Sequence, residues 1–209
     1  MKRAILQTLA YADVFGYPLK EKEIRKFLIG QVLTKGQIWP RLSQVSQKNG
    51  FFFLKDRGRI VALRRKREKW SQEKIRIAQK VSQWLKIIPT IKMVAVTGAL
   101  AMENAAKEDD IDLLIITAKK RLWLTRLLTV FLVELVARRR HPHDRSVKDK
   151  ICLNMFLDEE HLAVPLKERD LFTAHEVCQL KPLWDRNKTY QKFIQKNPWV
   201  KDFLPNWKP

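Results

Sequence analysis

The chain has 209 residues, with 42 Lys plus Arg against 22 Asp plus Glu and a formal net charge of +20 at pH 7. Hydrophobic residues make up 45% and aromatics 10%, which excludes wholesale disorder, and the longest apolar stretch, Leu122 to Ala137, carries Arg126 and Glu134 inside it, which argues against a membrane span. The N-terminus runs into Tyr11, Asp13 and Gly16 with no secretion signal, and Cys152 and Cys178 lack metal-ligand spacing and read as reduced structural thiols, so a cytoplasmic protein of one large or two small domains is expected.

The charge is uneven: residues 1–90 hold 21 Lys plus Arg and 6 Asp plus Glu, whereas residues 91–209 hold 21 and 16. That asymmetry suggests a module that meets a polyanion joined to one with different work. Apolar residues recur at helical spacing from Ala4 to Val14, and Gly16-Tyr17-Pro18 stops that helix. Lys20 to Ile29 gives a second helix, and Thr34 caps a third that carries Ile38, Leu42 and Val45. After Asn49-Gly50, the segments Phe51–Leu54 and Arg59–Leu63 read as two strands around the turn Lys55-Asp56-Arg57-Gly58.

Three short helices followed by a basic-tipped hairpin resemble a winged helix over residues 1–63. The resemblance implies that Lys35, Gln37, Arg41, Ser43 and Gln44 lie on or near a recognition helix and that Arg57 and Arg59 sit on a wing beside phosphates of DNA or RNA. Residues 64–89 continue as one linking helix, with Trp70, Ile75, Ala78, Val81, Trp84 and Leu85 as its apolar stripe and Pro89 as its stop.

From residue 90 onward a small α/β domain is expected, and its informative part reads strand, glycine turn, short helix, polar loop, strand. Met93 to Thr97 ends at Gly98, where a missing Cβ lets the backbone approach a ligand. In the next strand Asp110 and Asp112 are two apart, so both carboxylates project from one face, where they repel each other and gain from a divalent cation. Ile111 and Leu113 point the other way, into the core.

Gly98-Ala99, ten intervening residues and Asp110-Ile111-Asp112 resemble the signature of nucleotidyltransferases of the DNA polymerase beta superfamily. The resemblance implies a mixed sheet flanked by helices, Asp110 and Asp112 as catalytic ligands of Mg²⁺ or Mn²⁺, Gly98 and Ala99 as a cradle for NTP phosphates, and transfer of an NMP to an acceptor hydroxyl. This chain departs from the signature at Ala99, where the family usually carries Ser or Gly; alanine lacks the hydroxyl but keeps the small size. It departs again at the third carboxylate, for which the strand Lys150–Asp158 offers Asn154 in its middle or Asp158 at its end. A second reading, a nucleic-acid-binding regulator with an inactive α/β domain, follows from Ala99, Asn154 and the basic N-terminal half.

Arg121 to Ala137 reads as a helix covering the sheet, and Arg138-Arg139-Arg140-His141-Pro142-His143-Asp144-Arg145 as a solvated basic lip near the site, with His-x-His-Asp as a weaker metal reading. Leu171 to Leu180 forms a further helix in which His175 is a core residue. Trp184, Trp199 and Trp207 pack a closing tail.

Overall fold

The computed structural model describes residues 1–34 and 42–209. In chain order the elements are α1 (Lys2–Val14), β1 (Leu19–Lys20), α2 (Glu21–Lys26), β2 (Val45–Lys48), β3 (Phe51–Leu54), α3 (Arg59–Leu85), β4 (Ile91–Val96), α4 (Gly98–Ala101), β5 (Ile111–Thr117), α5 (Leu122–Val136), β6 (Ile151–Asp158), α6 (Leu171–Gln179), β7 (Lys181–Asp185), α7 (Thr189–Gln195) and α8 (Val200–Phe203). They form two compact units: residues 1–66 with 169–178 and 199–209, and residues 67–168 with 179–198. None of the described helices is long and apolar enough to cross a membrane.

In the first unit an antiparallel sheet of order β1-β3-β2 lies beside α1 and α2. The hairpin turns at Asn49-Gly50, not at residues 55–58, with φ of 52° and 79° at the two residues. Positive φ at both central positions suits Asn-Gly and matches the twist of the flanking strands. Val45, expected in a third helix, begins β2, and residues 35–41, with Lys35 and Arg41, lie outside the described residues. Arg59–Leu63 is not a strand but the start of α3. There Ile60 and Val61 pack on Phe51 and Phe53, so the short apolar run buries itself as one face of a helix. The boundary expected at residue 63 therefore falls inside a helix.

The later segments of this unit are built on buried aromatic anchors. Trp207 Nε1 donates to Cys178 O at 2.9 Å, and His175, buried, stacks on Tyr11 with ring centroids 4.0 Å apart. Its Nδ1 lies 2.9 Å from Leu171 O, and burial holds its pKa below the ordinary value. His175 is a core residue.

The second unit carries a mixed four-stranded sheet of order β6-β5-β4-β7. β4 is antiparallel to both β5 and β7, while β5 and β6 run parallel and are joined through α5, the crossover that parallel neighbours require. Ile111, Leu113 and Ile115 of β5 pack with Val94 and Val96 of β4 against Ile75, Ala78, Val81 and Leu85 of α3. The opposite face of β5 takes Asp112, Leu114 and Ile116 by alternation. α5 buries Thr125, Thr129 and Val133, whereas Trp123, Leu127, Phe131 and Leu135 are exposed by 77, 67, 64 and 67%. The apolar stripe expected to cover the sheet thus faces outward.

Candidate active site

Asp110 immediately precedes β5 and Asp112 is its second residue. The loop that delivers them is tied down at several points. Ala105 N donates to Ser71 Oγ at 3.0 Å and Ala106 N to Asp109 Oδ2 at 2.7 Å. Lys74, 2% exposed, reaches from α3 to donate to Lys107 O at 3.1 Å, Asp109 O at 2.7 Å and Asp149 Oδ1 at 2.7 Å. A buried ammonium needs this many acceptors to replace its water.

Gly98 approaches from the β4 side. Thr97 N donates to Asp112 O at 3.2 Å, and Gly98 follows with φ of 59°; a Cβ added there would stand 3.5 Å from Asp112 Oδ2. Cross-strand pairing sets Thr97 opposite Asp112 on one face, and the buried Thr97 Oγ1 has no hydrogen-bond partner among the described residues.

On the β6 side the parallel register pairs Asp112 with Cys152, the second residue of β6. Ligand atoms of Asp110, Asp112 and Cys152 lie within 4.8 Å of one another. Burial, and then the charge of Asp110, raises the pKa of Asp112, while the Cys152 thiol and Arg140 pull it down. Cys152 is pushed up to about 11 by burial and by Asp112.

Of the two residues expected at the third position, Asp158 lies away from the acidic pair. Asn154 is exposed on β6. Asp158 pairs with Thr117 at the far end of the strands, where its carboxylate accepts from Lys120 N at 2.7 Å and Glu160 N at 2.9 Å. The residue beside the acidic pair is Cys152, which sequence spacing alone reads as a structural thiol. Position within the strand is the signal: Asp112 and Cys152 are both second residues of parallel neighbours.

The basic lip meets the pair directly. Arg138 O accepts from Ile151 N at 2.8 Å and Arg140 N donates to Ile151 O at 2.8 Å, laying residues 138–140 along the edge of β6. Arg139 then turns to Glu134 at 2.5 Å, and Arg140 Nη1 reaches Asp110 Oδ2 at 2.6 Å. The His-x-His-Asp run builds a turn: Asp144 accepts from His141 N at 2.7 Å and pairs with Lys150 at 2.8 Å. In the first unit, Arg57 is ion-paired with Asp13 at 2.8 Å and Arg59 is the first residue of α3, so neither lies on the hairpin.

Two carboxylates supply the hard oxygen donors that suit Mg²⁺ or Mn²⁺, and the thiol adds a softer donor that Mn²⁺ tolerates better. With an unpartnered hydroxyl on the same face and a glycine at the rim, the donor set fits a divalent cation.

No family model matches the chain, and no curated protein matches it. Among solved structures it is similar to a mutant of the toxin-antitoxin MntA-HpeT at 15% identity, over 56% of this chain and 80% of that one, with a TM-score of 0.34. A toxin-antitoxin with AMP-PNP gives 15% identity over 56% and 82%, TM-score 0.33, and the toxin-antitoxin MntA-HepT gives 14% over 57% and 80%, TM-score 0.29.

Proposed function

We propose that the second unit is a nucleotidyltransferase that moves an NMP from an NTP to an acceptor hydroxyl. The observation that carries this reading is the convergence of Asp110 with Asp112, whose carboxylate stands beside the Gly98 elbow, at the spacing of the polymerase beta signature. Asp110 and Asp112 would hold Mg²⁺ or Mn²⁺, which when bound neutralises charge on the phosphates and lowers the pKa of the acceptor hydroxyl. Gly98 and Ala99 present backbone N–H groups to the outer phosphates. The acceptor oxygen bonds to the α-phosphorus as the bond to the bridging oxygen breaks; pyrophosphate leaves and the acceptor proton passes to water. Calorimetry with each NTP and Mn²⁺ tests it: binding falls at least tenfold in Asp110→Asn and Asp112→Asn, and equal binding in both variants rejects it.

The first unit supports a winged-helix-like reading with a corrected wing. Its order α1-β1-α2-β2-β3 and its three-stranded sheet suit that reading, with Asn49-Gly50 as the wing tip in place of residues 55–58. Nucleic-acid binding by this unit would fall steeply between about 50 and 200 mM salt. Lys35→Ala with Arg41→Ala would weaken it more than Arg57→Ala, because Arg57 already has a carboxylate partner. Salt-independent retention of labelled DNA and RNA would exclude it.

A further inference from the structure

We propose that the cavity beside β6 is the acceptor subsite of this transfer, and that the acceptor is a phosphate-bearing single strand of nucleic acid. The inference rests on the nucleotidyltransferase reading and names the second substrate. The cavity, of about 560 Å³, is lined by Arg138, Arg145, Ser146, Lys148, Asp149 and Lys150. Two of these charges are already neutralised, Asp149 by Lys74 at 2.7 Å and Lys150 by Asp144 at 2.8 Å. Among the described residues no carboxylate lies within ion-pair distance of Arg138, Arg145 or Lys148. Three uncompensated cations around one concavity focus a positive potential that spread-out surface charges do not.

The location of the cavity gives that potential a use. Two of its walls are hydrogen-bonded to the residues that flank the acidic pair, Ile111 N donating to Lys150 O at 2.9 Å and Asp149 N to Asp109 O at 3.1 Å, and a third is held beside Cys152, Ile151 N donating to Arg138 O at 2.8 Å. Since β5 lies between β4 and β6, the Gly98 elbow and the cavity stand on opposite flanks of Asp110 and Asp112. In-line displacement puts the leaving and entering oxygens on opposite sides of phosphorus. Pyrophosphate at Gly98 therefore leaves the β6 flank to the acceptor. Two guanidinium forks, an ammonium and a serine hydroxyl match successive phosphodiesters, which accept bidentate donors along a chain.

The test uses the full chain and a fluorescent single-stranded RNA dodecamer. Anisotropy is titrated across a potassium chloride series for the wild type, for Arg145→Ala/Lys148→Ala, and for the same pair with Arg138→Ala. A photoreactive base at the 3′ end is cross-linked and mapped by mass spectrometry. Cross-links within residues 138–150 are expected, with affinity at low salt reduced at least tenfold in the triple variant and a salt slope shallower by about 0.7 per lost phosphate contact. Arg145→Lys/Lys148→Arg should bind as the wild type does, separating charge from folding. An unchanged slope in the triple variant, or cross-links confined to residues 1–66, overturns the proposal. A polyglutamate peptide that competes as well as RNA of equal charge overturns the nucleic-acid assignment in favour of an acidic protein. If cross-links fall at 138–150 while Asp110→Asn and Asp112→Asn leave NTP binding intact, the transferase reading fails and the acceptor role with it, and the cavity stands only as an anion site.

Discussion

Arg140 Nη1 stands 2.6 Å from Asp110 Oδ2, so the acidic pair carries a counter-ion drawn from the chain itself. The guanidinium neutralises half of the pair and competes with any cation that binds there. Arg140→Gln is expected to tighten Mn²⁺ binding by roughly threefold to tenfold at low ionic strength, from the loss of a like charge at short range. The gain should shrink with added salt, since Arg140 is 45% exposed. Weaker Mn²⁺ binding by calorimetry would mean that Arg140 orders Asp110 and does not compete for it.

The raised pKa of Asp112, from burial first and Asp110 second, has a sign that stability measurements read. The folded state holds this proton more tightly than the unfolded chain does. The stability it contributes is present in full below the ordinary value of 3.8 and is lost as pH rises through the raised folded value. At pH 7 with chelator, Asp112→Asn is therefore expected to melt higher than the wild type, with the gap closing as pH falls toward 3.8. Mn²⁺ should raise the melting temperature of the wild type and leave the variant unmoved. A variant less stable at every pH would show that the carboxylate is held by its hydrogen bonds.

The parts of this fold legible in the sequence are those where one pattern has one solution. The apolar run of β5 and the 3.6-residue stripe of α3 leave little choice, and the aspartates two apart bring their carboxylates together. Arg59-Ile60-Val61-Ala62-Leu63 is different, because a short apolar run fits a strand or a helix turn equally. The helix prevails because residues 64–85 continue it and Phe51 and Phe53 receive Ile60 and Val61. β2 escapes notice because Val45-Ser46-Gln47-Lys48 is polar, half of it facing water, so only its pairing with β3 makes it a strand. The third member of the site depends on the register between β5 and β6, a long-range relation that leaves no local mark. The same holds for Lys74, whose partners lie on loops far along the chain.

Lys74 ties down the loop that delivers the acidic pair. With its ammonium buried among two carbonyls and Asp149, removing it strands three acceptors, one of them a partly buried carboxylate. Lys74→Ala is expected to lower the unfolding free energy by roughly 2 to 4 kcal/mol, the range for breaking a buried pair whose partner keeps some contact with solvent. Urea denaturation measures it. Lys74→Ala with Asp149→Ala should recover part of the loss, because the orphaned charge goes too; a double variant worse than either single would mean that Asp149 stabilises the loop independently.

Within the basic run of α3, adjacent arginines have unrelated work. Arg64 is 3% exposed, grips Glu23 through two bonds of 2.8 and 2.6 Å, donates to Pro18 O, and lies 4.0 Å from the Tyr17 ring centroid. Arg65 is exposed. Arg64→Ala is therefore expected to cost roughly 3 kcal/mol of stability, since Glu23 loses its fork and the Tyr17 and Phe51 rings lose their cation. The salt dependence of polyanion binding should not change. Arg64→Lys should recover only part, an ammonium being unable to span both carboxylate oxygens. Arg65→Ala should do the reverse, leaving the urea midpoint within about 0.5 kcal/mol and making the salt slope shallower. An unmoved midpoint in Arg64→Ala would return that residue to the polyanion-binding surface, from which its burial now removes it.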